Sequence, residues 1–136
     1  MKQVKNKVFL ELDGVMWHSA VYINGHKAGA NHFGYKSYCV DITDFVKFGE
    51  ENLIAVYAEM RKDCSRWYPG GGIYRNVNLI CVSESHFDLD YYGGPGIMIT
   101  PTVEGANANV EVQVFLTNAK EGQTVKYTIY DKDENE

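Results

Sequence analysis

"SAVYINGHKAG", residues 19–29, decides the fold class. Asn24-Gly25 stands between two strand-forming runs, and this dipeptide favours a type I′ turn because both central positions need positive φ. A β-hairpin is expected there. Outward from it, a period of two dominates the chain. In "KVFLELDG", residues 7–14, Val8, Leu10 and Leu12 share one face; in "NVEVQVFLT", residues 109–117, Val110, Val112, Val114 and Leu116 do the same. "NLIAVYAEM" (52–60) and "NVNLICVSE" (76–84) are apolar on both faces, the pattern of strands in the middle of a sandwich. Only "DITDFVKFGEEN", residues 41–52, offers a helical piece, one turn capped by Asp41 or Thr43 and stopped at Gly49. The fold class expected is all-β.

The cluster Gly93, Gly94, Pro95, Gly96 punctuates the chain, after which strands are expected near 97–103, 108–117 and 123–131. The cluster reads as a domain boundary, giving units at 1–92 and 93–136. Three strands cannot close a sandwich, which usually takes about seven, so the second unit reads as truncated. Open edges of this kind invite pairing with other chains, and a homo-oligomer is one expected consequence.

With 136 residues the chain can build one ordinary domain with a real core. Its net charge of −5 sets up repulsion toward phosphate backbones, so no nucleic-acid or membrane partner is expected. No apolar run approaches the ~20 residues of a membrane helix. The start, "MKQVKNKVFLELDG", alternates polar and apolar residues and has no continuous apolar segment, so no export signal is expected in it. Cys39, Cys64 and Cys81 are widely spaced, which points to buried free thiols rather than to a zinc knuckle or a disulfide framework. Cys64, beside the motif discussed next, is the one candidate nucleophile. His18, His26 and His32 lack the spacing of zinc ligands and read as surface or rim residues. His86, Asp88 and Asp90 alternate along a strand and read as a solvated face. No metal and no cofactor are expected.

"SRWYPGGGIYRNV", residues 65–77, carries the functional question. It is not a phosphate loop, since no lysine occurs between Lys62 and Lys120. Nor is it a dinucleotide fingerprint, because Arg75 stands where a third glycine is needed and a strand follows rather than a helix. Propensity alone makes it a turn at Pro69 and Gly70–Gly72, with Trp67 and Tyr68 packed under it and a strand starting at Ile73. A ligand-binding role has its own physical basis. A sugar ring offers an apolar C–H face that lies on an indole or phenol ring, while guanidinium N–H groups are fixed donors to its hydroxyls. Arg66, Trp67 and Tyr68 supply both.

The same segment resembles the SRWYPGxGIYR(N/D)VxL signature of the N-terminal sugar-binding domain of glycoside hydrolase family 2, the family of β-galactosidases, β-glucuronidases and β-mannosidases. Residues 8–59, "VFLELDGVMWHSAVYINGHKAGANHFGYKSYCVDITDFVKFGEENLIAVYAE", are similar to that domain's FxGV, VYxNGxxxGxxxGGYxxFxxDIT and GxNxIAV blocks in the same order, and the resemblance runs from about Val8 to Val82. Residues 96–131 resemble, more loosely, the opening strands of the immunoglobulin-like domain that follows. The resemblance implies a jelly-roll-like, galactose-binding-domain-like β-sandwich at 1–92, lacking its first strands, and a partial immunoglobulin-like sandwich at 93–136.

It implies further that the two catalytic glutamates lie in a (β/α)8 barrel absent from this chain. The chain then has no catalytic residue and does not hydrolyse glycosides alone. It would frame the terminal-sugar pocket of a retaining exo-β-glycosidase of β-galactosidase type, acting on a β-linked oligosaccharide or galactoside, and scaffold the barrel in cis. Some members contact sugar hydroxyls with an acidic residue six positions before the last glycine of the motif. Here that position is Arg66, which implies a donor in its place. Arg66 and Trp67, then Tyr68, are the expected sugar-binding residues; Arg75 is expected to pin the strand entry. A stand-alone carbohydrate-binding module and a purely structural interaction domain are the alternative functions.

Overall fold

The computed structural model describes residues 6–60, 70–92 and 94–134. Strand β1 (Asn6–Leu12) begins the core. Its Val8, Leu10 and Leu12 are buried, as the alternation requires, and the residues between them face outward. A short β2 (Val15–Met16) leads into β3 (His18–Ile23) and β4 (His26–Asn31), the two arms of the hairpin. Asn24 and Gly25 join them at φ 52° and 86°, both positive as a type I′ turn demands. Then come β5 (Tyr38–Asp41), β6 (Ile54–Glu59), β7 (Gly72–Ile73) and β8 (Val77–Ser83).

Two three-stranded antiparallel sheets, β5-β1-β8 and β4-β3-β6, pack face to face. Val8, Leu10, Leu12, Tyr38, Val40 and Ile42 meet Val15, Val21 and Ile23 between the layers. Leu12, Val15, Val21, Ile23 and Ile42 lose all solvent contact; such side chains contribute about 1.5–3 kcal/mol each when fully buried. Ser19 is the one buried polar residue among the described residues, and its hydroxyl shares a 2.8 Å hydrogen bond with that of Tyr38. Burial raises the Tyr38 phenol above its ordinary value, an effect this bond partly offsets.

Beyond the sandwich, β9 (His86–Phe87) pairs with β12 (Leu116–Thr117), and β10 (Ile97–Glu104) with β11 (Asn107–Val114). The ring of Tyr91 stacks on Phe115 at 4.0 Å between centroids. The described residues form strands, turns and irregular segments and no helix.

Several details depart from the sequence pattern. Residues 41–52 form hydrogen-bonded turns rather than a helix: the amides of Phe45 and Val46 both reach the Ile42 carbonyl, and the ladder goes no further. The Asp41 carboxylate accepts the Thr43 amide at 2.9 Å and so caps this turn. Strands β6 and β8 are not central. Each is the outer strand of its sheet among the described residues, and Leu79, Val77 and Tyr57 are exposed. The strand expected at 108–117 breaks at Phe115, whose amide bonds to Gly96 and whose carbonyl accepts from Asp88, so the chain changes partner from β10 to β9. Residues 123–131 form no strand, since no ladder partner lies beside them among the described residues. Cys39 is half-buried and free as expected; Cys81 is free but exposed.

Candidate functional site

Residues 61–69 join β6 to β7, and Arg66, Trp67 and Tyr68, with Asp63, Cys64 and Pro69, lie outside the described residues. The frame that holds the two ends of this segment is described. His18 pairs with Glu59 at the end of β6, and Met16 pairs with Gly72 at the start of β7. Trp17, between them, donates its amide to the Glu59 carbonyl at 3.3 Å. The connection therefore leaves on one side of Trp17 and returns on the other. Its ends also touch: a Cβ on Gly71 would come within 3.1 Å of the Met60 sulfur. Gly72 sits at φ +100°, a conformation that explains glycine as the last of the three.

Around this gateway the sequence gathers ring systems. The indole N–H of Trp17 donates to the His32 carbonyl at 3.1 Å. The Nδ1 atoms of His18 and His32 lie 2.9 Å apart, with their rings edge to face. In such a contact one Nδ1 donates and the other accepts. Phe33 and Tyr35 stand edge to face beside it, both more than half exposed. Tyr74 fastens the returning strand: its amide donates to the Gly14 carbonyl at 3.2 Å and its hydroxyl to the Gly34 carbonyl at 2.8 Å. The ring lies so close over Gly14 that a Cβ there would be 2.7 Å from it. The Arg75 guanidinium lies 5.3 Å from the centre of the Tyr74 ring, a cation–π contact.

Phe33 and Tyr35 leave aromatic faces exposed at this rim, while the Trp17 N–H and the Tyr74 O–H are engaged by backbone carbonyls. The other residues singled out in the sequence do not join it. The His86 Nδ1 bonds to the carbonyls of Ser83 and Glu84, and the Asp88 carboxylate accepts the Asp90 amide. His26 stacks on Phe45 at the hairpin turn. Among the described residues no three His, Cys, Asp or Glu side chains converge as metal ligands. The sequence pattern missed Trp17 and Tyr74 as parts of the frame. Their signal is a register relation between strands far apart in the chain, which no local motif carries.

This architecture, an antiparallel sandwich of two three-stranded sheets, defines an all-β domain. No family model matches the chain. It is 37% identical over 115 residues to the β-galactosidase BoGH2A of Bacteroides ovatus, a match covering 82% of this chain and 13% of that protein. The solved FMN-binding β-glucuronidase from Facaelibacterium prausnitzii L2-6 superposes with a TM-score of 0.78 at 34% identity, over 89% of this chain and 20% of that one. A glycosyl hydrolase family 2 member from Bacteroides cellulosilyticus DSM 14838 gives 0.74 at 34% identity, over 84% and 15%. The chain is a glycoside hydrolase family 2 domain, and it spans a fifth or less of the length of these relatives.

Proposed function

We propose that this chain is the noncatalytic portion of a retaining exo-β-glycosidase, of β-galactosidase type, which frames the terminal-sugar pocket and scaffolds a (β/α)8 barrel carried elsewhere in the full-length enzyme. In this proposal residues 1–92 are the jelly-roll sugar-binding unit and 93–136 the opening of an immunoglobulin-like unit. Arg66 donates to sugar hydroxyls, and Trp67 and Tyr68 offer ring faces to the C–H side of the sugar. The observation that carries the proposal is the register at Trp17. The described residues on either side of the 61–69 segment, Glu59 and Gly72, are both paired to one short stretch of backbone, Met16–His18, which gives the segment a fixed base.

The test is kinetic and uses the full-length enzyme. Arg66→Ala and Trp67→Ala should each lower kcat/KM for a nitrophenyl β-galactoside by about tenfold or more, the scale of one lost charged hydrogen bond or stacking contact. A nitrophenyl β-glucuronide run in parallel fixes the sugar class, since Bacteroides ovatus BoGH2A is a β-galactosidase whereas the Facaelibacterium structure is a β-glucuronidase. Unchanged kinetics in both variants with both substrates would overturn the assignment of the pocket. Calorimetric titration of the 136-residue chain with the same sugars distinguishes the stand-alone binding module. Binding that is lost in Trp67→Ala would favour the module over the scaffold.

A further inference from the structure

Asn24 is the only asparagine in the chain that precedes a glycine. That order sets two reactive partners side by side, the Gly25 amide nitrogen and the carbonyl carbon of the Asn24 side chain, and glycine puts no side chain in the way of their approach. The surroundings of Gly25 are open. It is exposed, at φ +86°, and a Cβ built on it would meet nothing within 4 Å. The Asn24 side chain is in the opposite condition. It is half-buried and held at both ends of its amide: the nitrogen donates to the Phe45 carbonyl at 2.9 Å and to the Asn52 Oδ1 at 2.8 Å, and the oxygen accepts the Leu53 amide at 3.0 Å. The Asn24 backbone amide completes the junction by donating to the Leu53 carbonyl at 2.9 Å.

The partners have fixed roles. A carbonyl such as that of Phe45 only accepts and an amide such as that of Leu53 only donates, so the Asn24 side chain has one orientation. Asn52 is fixed in the same way: its Oδ1 also accepts the Lys47 amide at 2.8 Å, and its nitrogen donates to the carbonyls of Lys47 and Glu50. Neither side chain can turn over without losing backbone partners. For its carbonyl carbon to reach the Gly25 nitrogen, the Asn24 side chain must leave this network, so the reaction waits on opening of the junction.

We infer that Asn24-Gly25 is a site of spontaneous covalent modification, held in check by the junction of the hairpin turn with residues 45–53 and destructive to that junction once it occurs. The Gly25 nitrogen bonds to the Asn24 Cγ, the Cγ–Nδ2 bond breaks, and the departing nitrogen takes up the proton that the Gly25 nitrogen sheds and leaves as ammonia. Water then opens the cyclic imide at one or other carbonyl, giving Asp or isoaspartate at position 24. In the Asp product an ionised oxygen stands where the nitrogen stood, and it faces two acceptors, the Phe45 carbonyl and the Asn52 Oδ1. Asn52 cannot rotate to offer a donor there without giving up the Lys47 amide. Isoaspartate instead lengthens the main chain inside the tight turn between the paired residues Ile23 and His26.

Peptide-level mass spectrometry that separates Asp from isoaspartate tests this on the 136-residue chain, held at pH 8 in its native state and in urea. Modification at position 24 is expected in urea and should be slower by about tenfold or more in the native chain. Asn52→Ala removes one partner of the Asn24 nitrogen. It should speed the native reaction by about fivefold, the change in open population that one lost hydrogen bond sets, and leave the rate in urea unchanged. Asn24→Asp, which makes one product directly, should unfold at a lower urea concentration than the parent chain. No modification in urea overturns the inference, and so does a native rate equal to that in urea. An Asn52→Ala rate equal to the parent's, or an Asn24→Asp variant as stable as the parent, overturns it as well. If Asn52→Ala loses its native circular dichroism spectrum, the ratio of the parent's two rates and the stability of Asn24→Asp decide.

Discussion

Asn24 holds more of the fold together than its place in a surface turn implies, and replacing it in two ways separates the reasons. Its side-chain amide donates to the Phe45 carbonyl at 2.9 Å and to the Asn52 side-chain oxygen at 2.8 Å, while its own oxygen accepts the Leu53 amide at 3.0 Å. Its backbone sits at φ 52°. Asn24→Gly keeps that φ and removes the three bonds. At about 0.5–1 kcal/mol each for bonds at a partly solvated site, the loss is about 1.5–3 kcal/mol. Asn24→Ala removes the same bonds and adds roughly 1 kcal/mol for a Cβ in the left-handed region. Domains of this kind have about 5–15 kcal/mol of stability in total, so both variants should fold. Urea unfolding followed by circular dichroism measures the difference. Asn24→Gly within about 0.5 kcal/mol of the parent chain would refute the hydrogen-bond accounting, and Asn24→Ala no worse than Asn24→Gly would refute the φ term. An Asn24→Gly, Asn52→Ala double-mutant cycle should show a coupling of at least about 0.5 kcal/mol, because the two side chains share a bond.

Leu12→Ala, at a fully buried site between the sheets, should cost about 2–5 kcal/mol and lower the thermal midpoint accordingly. Burial, together with the charges of Glu11 and Asp90, pushes the Cys39 thiol up to about 12. Native Cys39 should therefore resist alkylation at pH 8 and react only on unfolding, as peptide mass spectrometry would read. Burial tends to raise the Asp41 carboxyl, but hydrogen bonds from Thr43 and Lys7 and the charge of Lys7 outweigh it and hold the group below its ordinary value. Its contribution is present above the ordinary carboxylate range and should be lost as pH falls through the depressed folded value. Lys7, raised by the same partner, contributes below 10.5 and loses its contribution as pH rises through a higher folded value. The pair is partly exposed, so Lys7→Met should cost less than about 1 kcal/mol at neutral pH and flatten the acid limb of a stability-against-pH curve. Tyr74→Phe removes the bond to the Gly34 carbonyl and should cost about 1 kcal/mol.

Local chemistry made the hairpin legible. Asn-Gly specifies its own turn, and the alternation of Val8, Leu10 and Leu12 specifies its own face, so both are visible without knowing what packs against them. The turn at 41–52 was legible in part. Asp41 caps it as its residue type predicts, but the helix does not propagate because Ile42 is held fully buried in the core and its carbonyl takes both following donors. The edge position of β8 was not legible. "NVNLICVSE" is apolar on both faces, and that pattern reports what the strand needs rather than which strands are beside it. For the candidate site the turn expected at Pro69 and Gly70–Gly72 lies partly outside the described residues, and Gly72, at positive φ, opens β7. Trp17 and Tyr74 belong to the frame through pairings across 40 residues or more, at Glu59 and at Gly34, which only the fold brings together.

The two apolar strands and the loop between them have one physical origin. β6 and β8 are the strands on either side of "SRWYPGGGIYR", so the connection that carries Arg66, Trp67 and Tyr68 springs from the open side of the sandwich. It is fixed there at its two ends, by Glu59 on the backbone of Trp17 and His18 and by Gly72 on Met16. Leu79 and Ile54, both exposed, therefore lie on the two strands that flank the base of this connection. A coupling between cover over this side of the sandwich and the connection would run through β6, β7 and β8. A charge placed at Leu79 tests both at once: if the coupling holds, Leu79→Lys in the full-length enzyme alters KM for the glycoside although the residue is no part of the rim, and an unchanged KM would show that the β2–β7 pairing alone is enough to hold the loop.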